Sequence, residues 1–241
     1  MNVDVLAIGA HPDDADLGVG GALLRLAAQG VCTAILDLTR GEMSSRGTVE
    51  ERAVEAMEAG RLLKLAARRQ TALPDGGIEN TPSQREAVIR VLRELRPQIL
   101  LAPMAPDRHP DHAAAHGLVR DANYFSGVAG LVTGQEPYRA PQVFYYHPYQ
   151  GATESPAHVV DITDYFEEKR AALRAYASQF HNPSYQGPAT WIASEAFWES
   201  IETRARYWGG RIGVRYGEPL HADGPIALDL GARLGPRKDI P

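Results

Sequence analysis

The chain has 241 residues, 44% hydrophobic and 23% charged, a composition suited to a folded globular protein rather than a disordered one. Its net charge of −5 leaves no basic footprint for nucleic acid or an anionic membrane surface, and a single cysteine, Cys32, excludes an intrachain disulfide framework and a multi-thiolate metal site. No apolar run approaches the roughly 20 residues that span a bilayer, and the opening MNVDVLAIGA lacks a basic stretch before its apolar run, so a cytoplasmic protein without a signal peptide is expected.

In chain order, Val3 to Ile8 reads as a buried strand that runs into Gly9 and a loop holding Pro12. Leu17 to Gln29 has apolar residues at helical spacing and stops at Gly30. Val31 to Leu38 is a second strand, Thr48 to Leu65 a charged amphipathic helix, and Ser83 to Leu95 a helix halted before Pro97. Ile99 to Ala102 is a third buried strand, and a helix opens over His109 to Asp121 with Pro110 in its first turn. Strands alternating with helices of this length imply a mainly parallel sheet covered on both faces, an α/β, Rossmann-like three-layer fold. After residue 125 the pattern loosens. Strands are expected at Val143 to Tyr146 and His158 to Val160, helices at Tyr165 to Phe180 and Ser194 to Tyr207, and short β-like pieces at Ile212 to Tyr216 and Ile226 to Leu230. The simplest division is one domain over residues 1–241: a βαβ core over 1–125, and a smaller irregular C-terminal extension over 126–241 that closes the substrate pocket.

Two segments carry chemistry. AHPDDADLG, Ala10 to Gly18, follows the first strand, and DRHPDH, Asp107 to His112, follows the strand at Ile99 to Ala102. Ligands of open parallel sheets bind beyond the carboxyl ends of the strands, so both segments fall where a site is expected. Pro12 disfavours helical geometry at His11 and favours a tight turn that aims His11 and Asp14 together. Two imidazoles and a carboxylate suit a three-ligand catalytic zinc site, and such a set also suits Fe(II). A spare carboxylate and a spare imidazole beside such a site suit general-base and oxyanion roles. Spacing alone does not choose between His109 and His112 as third ligand. Gly18, Gly20 and Gly21 lack dinucleotide-binding spacing and read as a close approach of the first helix to the sheet. His116, four residues beyond His112, reads as a helix-surface residue, and Cys32 as a small core residue.

The pair AHPDDADLG and HPDH resembles the signature of the PIG-L (LmbE-like) family of metal-dependent N-acetylglucosaminide deacetylases. TRGEMSSRGT (Thr39 to Thr48) with Glu51 and Arg52 extends the resemblance, and RYWGGRIGVRYGEPL (Arg206 to Leu220) is similar to the bacillithiol-pathway branch, which deacetylates N-acetylglucosaminyl malate. The resemblance implies that His11, Asp14 and His112 hold zinc or another divalent metal. It implies that Asp13 is the general base, that protonated His109 assists at the oxyanion or leaving group, and that Asp111 orients His109. Asp107 stands where the mycothiol branch carries a tyrosine, which places the bacillithiol branch ahead. Arg52 and Arg108 are expected to bind a malate carboxylate through paired N–H donors. Arg46 receives no role. The expected partner is a small sugar substrate, with no nucleic acid and no membrane, and relatives imply a homo-oligomer, commonly a hexamer.

Overall fold

In the computed structural model, residues 2–146 and 155–225 are described; the strand expected at Ile226 to Leu230 lies outside them. Among these residues, seven strands form one sheet in the order β3-β2-β1-β4-β5-β7-β6. The apolar runs at β1 (Val5–Gly9) and β2 (Thr33–Asp37) are buried at every position, as a strand covered on both faces must be. β1 pairs in parallel with β2 on one side and with β4 (Ile99–Pro103) on the other, and β4 pairs in parallel with β5 (Gln142–Tyr146). Strand order therefore reverses between β1 and β4. A crevice opens at that switch point, beyond the carboxyl ends of the two strands.

Alternate side chains of the strands feed two cores. Leu6, Ile8, Leu36, Leu100 and Ala102 face α3 (Pro82–Leu95) and α4 (Pro110–Ser126). Val5, Ala7, Ile35 and Leu101 face α1 (Asp14–Ala28) and α5 (Phe166–Arg174). A third cluster joins α2 (Val49–Leu62), α5, Tyr176, Phe180 and α6 (Glu195–Arg211). The layers are helix, sheet and helix, as the alternating pattern predicts.

Three elements depart from expectation. β3 (Ala67–Gln70) has no apolar run, because this edge strand places Arg68 on the buried carboxylates of Asp16 and Asp37, at 2.9 and 2.6 Å. The helix expected to reach Phe180 stops at Arg174, and the chain continues as turns over Tyr176 to Phe180. Ile212 to Tyr216 is not a strand. The amides of Ile212 and Val214 turn back onto the Gly209 carbonyl at the end of α6, and the strand is β7 (Gly217–Ala222), antiparallel to both β5 and β6 (His158–Asp161).

β7 grips the first helix. α1 is kinked at Val19, whose backbone is non-helical, and the amides of Gly21 and Ala22 donate to the Glu218 carboxylate at 2.9 and 2.7 Å. Lys169 of α5 pairs with the same carboxylate at 2.6 Å and donates to the Leu17 carbonyl at 2.7 Å. Gly18 lies under the Tyr146 ring so closely that a Cβ there would stand 2.6 Å from Cδ2, so a larger residue would push α1 off the sheet.

Candidate active site

Gly9 ends β1, and the chain turns through His11 to Asp13 before α1 begins. The turn closes on itself: the His11 amide donates to Asp14 Oδ2 at 2.8 Å. Asp13 sits at φ 116°, where a side chain other than glycine costs on the order of 1–3 kcal/mol, and its side chain does not cap α1. Arg52 holds this geometry. It is buried, donates from Nε and Nη2 to the Pro12 carbonyl, and pairs through Nη2 with Asp13 Oδ2 at 2.8 Å. The helix that carries Arg52 is started by a capping box of Thr48 and Glu51.

The second segment leaves β4 and enters α4 with His109 as N-cap and Pro110 in the first turn. Asp107 organises it. One oxygen accepts the His109 amide at 2.8 Å, and the other faces His112 Nδ1 at 3.0 Å. His109 Nδ1 accepts the Asp111 amide at 3.3 Å, which places any proton of the neutral ring on Nε2.

The two segments meet on Asp14. Its Oδ2 lies 3.2 Å from His11 Nδ1, and its Oδ1 lies 3.1 Å from His112 Nε2. The opposite nitrogen of each ring is held by other carboxylates. His11 Nε2 faces Asp75 Oδ1 at 3.0 Å and Asp111 Oδ2 at 3.2 Å, and His112 Nδ1 faces Asp107. Imidazoles that ligate metals show this arrangement, one nitrogen for the ion and the other donating to a carboxylate. Donor atoms of His11, His109 and His112 lie within 4.8 Å of one another, as do those of His11, Asp75 and Asp111. In the second group both carboxylates already accept backbone amides, from Met43, Gly76 and Ile78, which suits them to orienting His11. Imidazoles with a carboxylate between them fit a divalent cation of the zinc or iron kind.

The field of these carboxylates sets the protonation. Burial opposes charge on His11, but Asp14 and Asp75 outweigh it and raise its pKa to about 11. Burial is likewise outweighed at His112 by Asp14 and Asp107, to about 10. At Asp14 the two imidazoles overcome burial and hold the carboxyl well below its usual range. The same anionic field that retains protons on His11 and His112 attracts a cation that replaces them. Asp13 differs from its neighbour. Burial pushes it up to about 7, against the opposing charge of Arg52 and with Asp14 adding to the rise. His109 is held below its ordinary value by burial and by the charges of His112 and His11.

Placement amends several sequence expectations. His11, Asp13, Asp14, His109 and His112 all line one cavity of about 720 Å³. The Asp111 carboxylate does not orient His109; it turns to His11 and the 76–78 turn, and only its backbone amide meets His109. The Asp111 amide on Nδ1 leaves Nε2–H as the donor of the neutral His109 ring, and burial with the charges of His112 and His11 lowers its pKa. Arg52 is committed to Pro12, Asp13 and Ser44 instead of standing ready for a substrate carboxylate. Arg108 lines the cavity, exposed and without a hydrogen-bond partner among the described residues. His116 turns to the Pro103 carbonyl at 3.1 Å, away from the cluster. Cys32 is half-buried against the core.

Sequence reasoning misses Asp75, Asp107 and Arg46. Asp107 is visible as an acid two residues ahead of HPDH. Asp75 lies in a Pro-Asp-Gly turn whose preceding strand β3 has no apolar signature. Arg46 is buried and ties its loop to the C-terminal half, donating to the carbonyls of Ser178 and Pro188 at 2.6 Å each.

The model of the PIG-L family, described as GlcNAc-PI de-N-acetylase, matches residues 6–123. Diacetylchitobiose deacetylase of Thermococcus kodakarensis is 30% identical over 90% of this chain and 81% of its own length. The crystal structure of a conserved protein from Thermus thermophilus superposes with a TM-score of 0.85 at 39% identity, covering 95% of this chain and 98% of that one. A 4-oxalmesaconate hydratase of Pseudomonas putida is 26% identical over 73% of this chain and 74% of its own. Both segments that meet on Asp14 fall inside the family match, and the chain belongs to the PIG-L family.

Proposed function

We propose that this protein hydrolyses the acetamide of an N-acetylglucosamine conjugate with the help of a divalent metal, zinc by preference of the donor set. The observation that carries the reading is the contrast between two adjacent acids. Asp14 is pinned as an anion between two imidazoles, while Asp13 is buried, lifted to about 7 and left with one oxygen free of hydrogen bonds among the described residues. A buried carboxylate whose pKa is raised by burial and whose second oxygen is open to the cavity is suited to move a proton in both directions.

His11, Asp14 and His112 would hold the metal, which supplies polarisation of the acetamide carbonyl and activation of water. Asp13 accepts a proton from the attacking water as its oxygen bonds to the carbonyl carbon. The Nε2–H of His109 donates to the oxygen that gains charge. Asp13 then returns the proton to nitrogen as the carbon–nitrogen bond breaks, leaving acetate and a free amine.

The family description and the Thermococcus relative support an aminosugar substrate. For the aglycone we propose L-malate, as in N-acetylglucosaminyl malate of bacillithiol biosynthesis. The C-terminal RYWGGRIGVRYGEPL segment and Arg108, which stands at the cavity without a hydrogen-bond partner among the described residues, support this. The same reading places a small sugar as the partner of a cytoplasmic homo-oligomer, with residues beyond 125 closing over the substrate. No helix among the described residues is long and apolar enough to cross a membrane.

A substrate panel tests the proposal. Metal-loaded protein is offered N-acetylglucosaminyl malate, diacetylchitobiose, N-acetylglucosamine and an unsaturated dicarboxylate, with acetate and new primary amine measured. The malate conjugate is expected to give the highest kcat/KM. A higher value on the disaccharide overturns the aglycone, and hydration of the dicarboxylate without acetate release overturns deacetylation.

A further inference from the structure

His11 Nδ1 can face Asp14 only while the ring is held in one of its two flipped orientations. The carboxylate nearest the other nitrogen is Asp75, at 3.0 Å. The alternative holder, Asp111, lies slightly farther at 3.2 Å, and both its oxygens are engaged by the amides of Gly76 and Ile78. Asp75 in turn is fixed on two sides by the segment that follows β2. Its Oδ2 accepts the Met43 amide at 2.8 Å, and its own amide donates to Glu42 Oε1 at 3.0 Å. Gly76, at φ 73°, completes the turn, and a Cβ there would stand 2.8 Å from the Met43 sulfur. The turn and the 42–43 segment are thus packed as one unit behind His11.

We infer that Asp75 is a positioning residue that orients His11 for the metal through its Nε2–H, and that Glu42 and the Met43 amide keep Asp75 in place. It acts through His11 and does not itself ligate. A carboxylate that receives the N–H of a ligating imidazole fixes its tautomer and raises its basicity. The inference rests on His11 being a metal ligand, as proposed above.

The first experiment measures zinc affinity by chelator competition on full-length wild-type protein and the isosteric Asp75→Asn variant. The variant is expected to bind zinc about 10–100-fold more weakly, and at saturating zinc to keep its KM while kcat falls. Unchanged affinity, or a raised KM with unchanged affinity, overturns the positioning role; the latter makes Asp75 a substrate contact. A second measurement needs no variant. Nitrogen-15 NMR of zinc-loaded wild type is expected to show His11 protonated at Nε2 and metal-bound at Nδ1; zinc on Nε2 overturns the inference. Absence of zinc binding by the wild type would overturn the donor set itself, so the two failures are distinct.

Discussion

The two halves of the molecule build different parts of the same cavity. Up to α4, every reactive group comes from a short segment at the end of a parallel strand: His11 to Asp14 after β1, and Asp107 to His112 after β4. Beyond β5, the described residues lining the cavity are Gln179, Thr190, Trp191, Ile192, Phe197 and Ser200, none of which is a carboxylate or an imidazole. That second wall is attached through long-range contacts, such as Arg46 to Ser178 and Lys169–Glu218 to α1. On the proposed function, the difference gives proton and metal chemistry to the first half, and fit and attachment to the second. Changes in the first half should therefore strike kcat and metal binding, and changes in the second should strike KM and stability.

The largest effect is expected from His112→Ala. It removes a ring whose nitrogens lie between Asp14 and Asp107, and leaves two partly buried carboxylates without the imidazole between them. Metal content should fall to background with the wild-type protein loaded, and turnover should drop by about 10³-fold or more. Full metal occupancy in this variant would transfer the third position to His109.

Asp13→Asn comes next. Turnover should fall by roughly 10²–10⁴-fold, the range of a lost general base, with metal retained. Stability should move the other way in chelator-treated protein. The folded Asp13 has its pKa raised to about 7, so between about pH 4 and 7 the folded state binds more protons than the unfolded chain. Wild-type stability therefore falls as pH rises through that window, and asparagine, which does not titrate, escapes the loss. At pH 8 the variant should be more stable by on the order of 2–4 kcal/mol, and the two proteins should converge near pH 4. A variant less stable than wild type at pH 8 would show that the Arg52 pairing outweighs burial.

The same contrast explains what the chain reveals before it is folded. β1, β2 and β4 are legible because a strand buried on both faces has to be an unbroken apolar run, and the site is legible because its residues fall in two short segments, each contiguous in sequence. β3 is hidden, since its value to the fold lies in one arginine that meets Asp16 and Asp37, 52 and 31 residues away in sequence. Asp75 is hidden for the same reason: its partner His11 is 64 residues distant. The family resemblance pairs Asp111 with His109, whereas the first turn of α4 points its carboxylate at the 76–78 loop and His11. At β7, the apolar pattern ends at Tyr216 because Glu218 and Pro219 interrupt it, and Glu218 is there to bind the open turn of α1. Local chemistry survives translation into sequence pattern; contacts made across the fold do not.

Lys169→Met tests the attachment. It leaves Glu218 buried with only the two α1 amides as partners, and breaking a buried pair by removing one member costs about 3–5 kcal/mol. Urea unfolding should show that loss, and the double variant Lys169→Met with Glu218→Gln should recover part of it, as coupled neighbours do. Metal affinity should stay at the wild-type value. A metal-binding defect equal to that of His112→Ala would erase the division between the halves.

The smallest effect, and the one that most directly asks whether the second half supplies fit alone, belongs to Trp191→Ala. Trp191 lines the cavity, is 49% exposed, and stands edge to face with Phe197, with ring centroids 6.1 Å apart. A bound conjugate that covers a further ~50 Å² of this ring gains about 1 kcal/mol at ~25 cal/mol/Å², which is roughly a fivefold change in KM. That contact is the same in the ground state and the transition state, so kcat should hold. Unfolding free energy should fall by at most about 2 kcal/mol at ~25 cal/mol/Å², because about half of the side chain is packed. A fall in kcat with KM unchanged would mean that Trp191 touches the reacting acetamide, and the chemistry could then no longer be confined to the segments after β1 and β4.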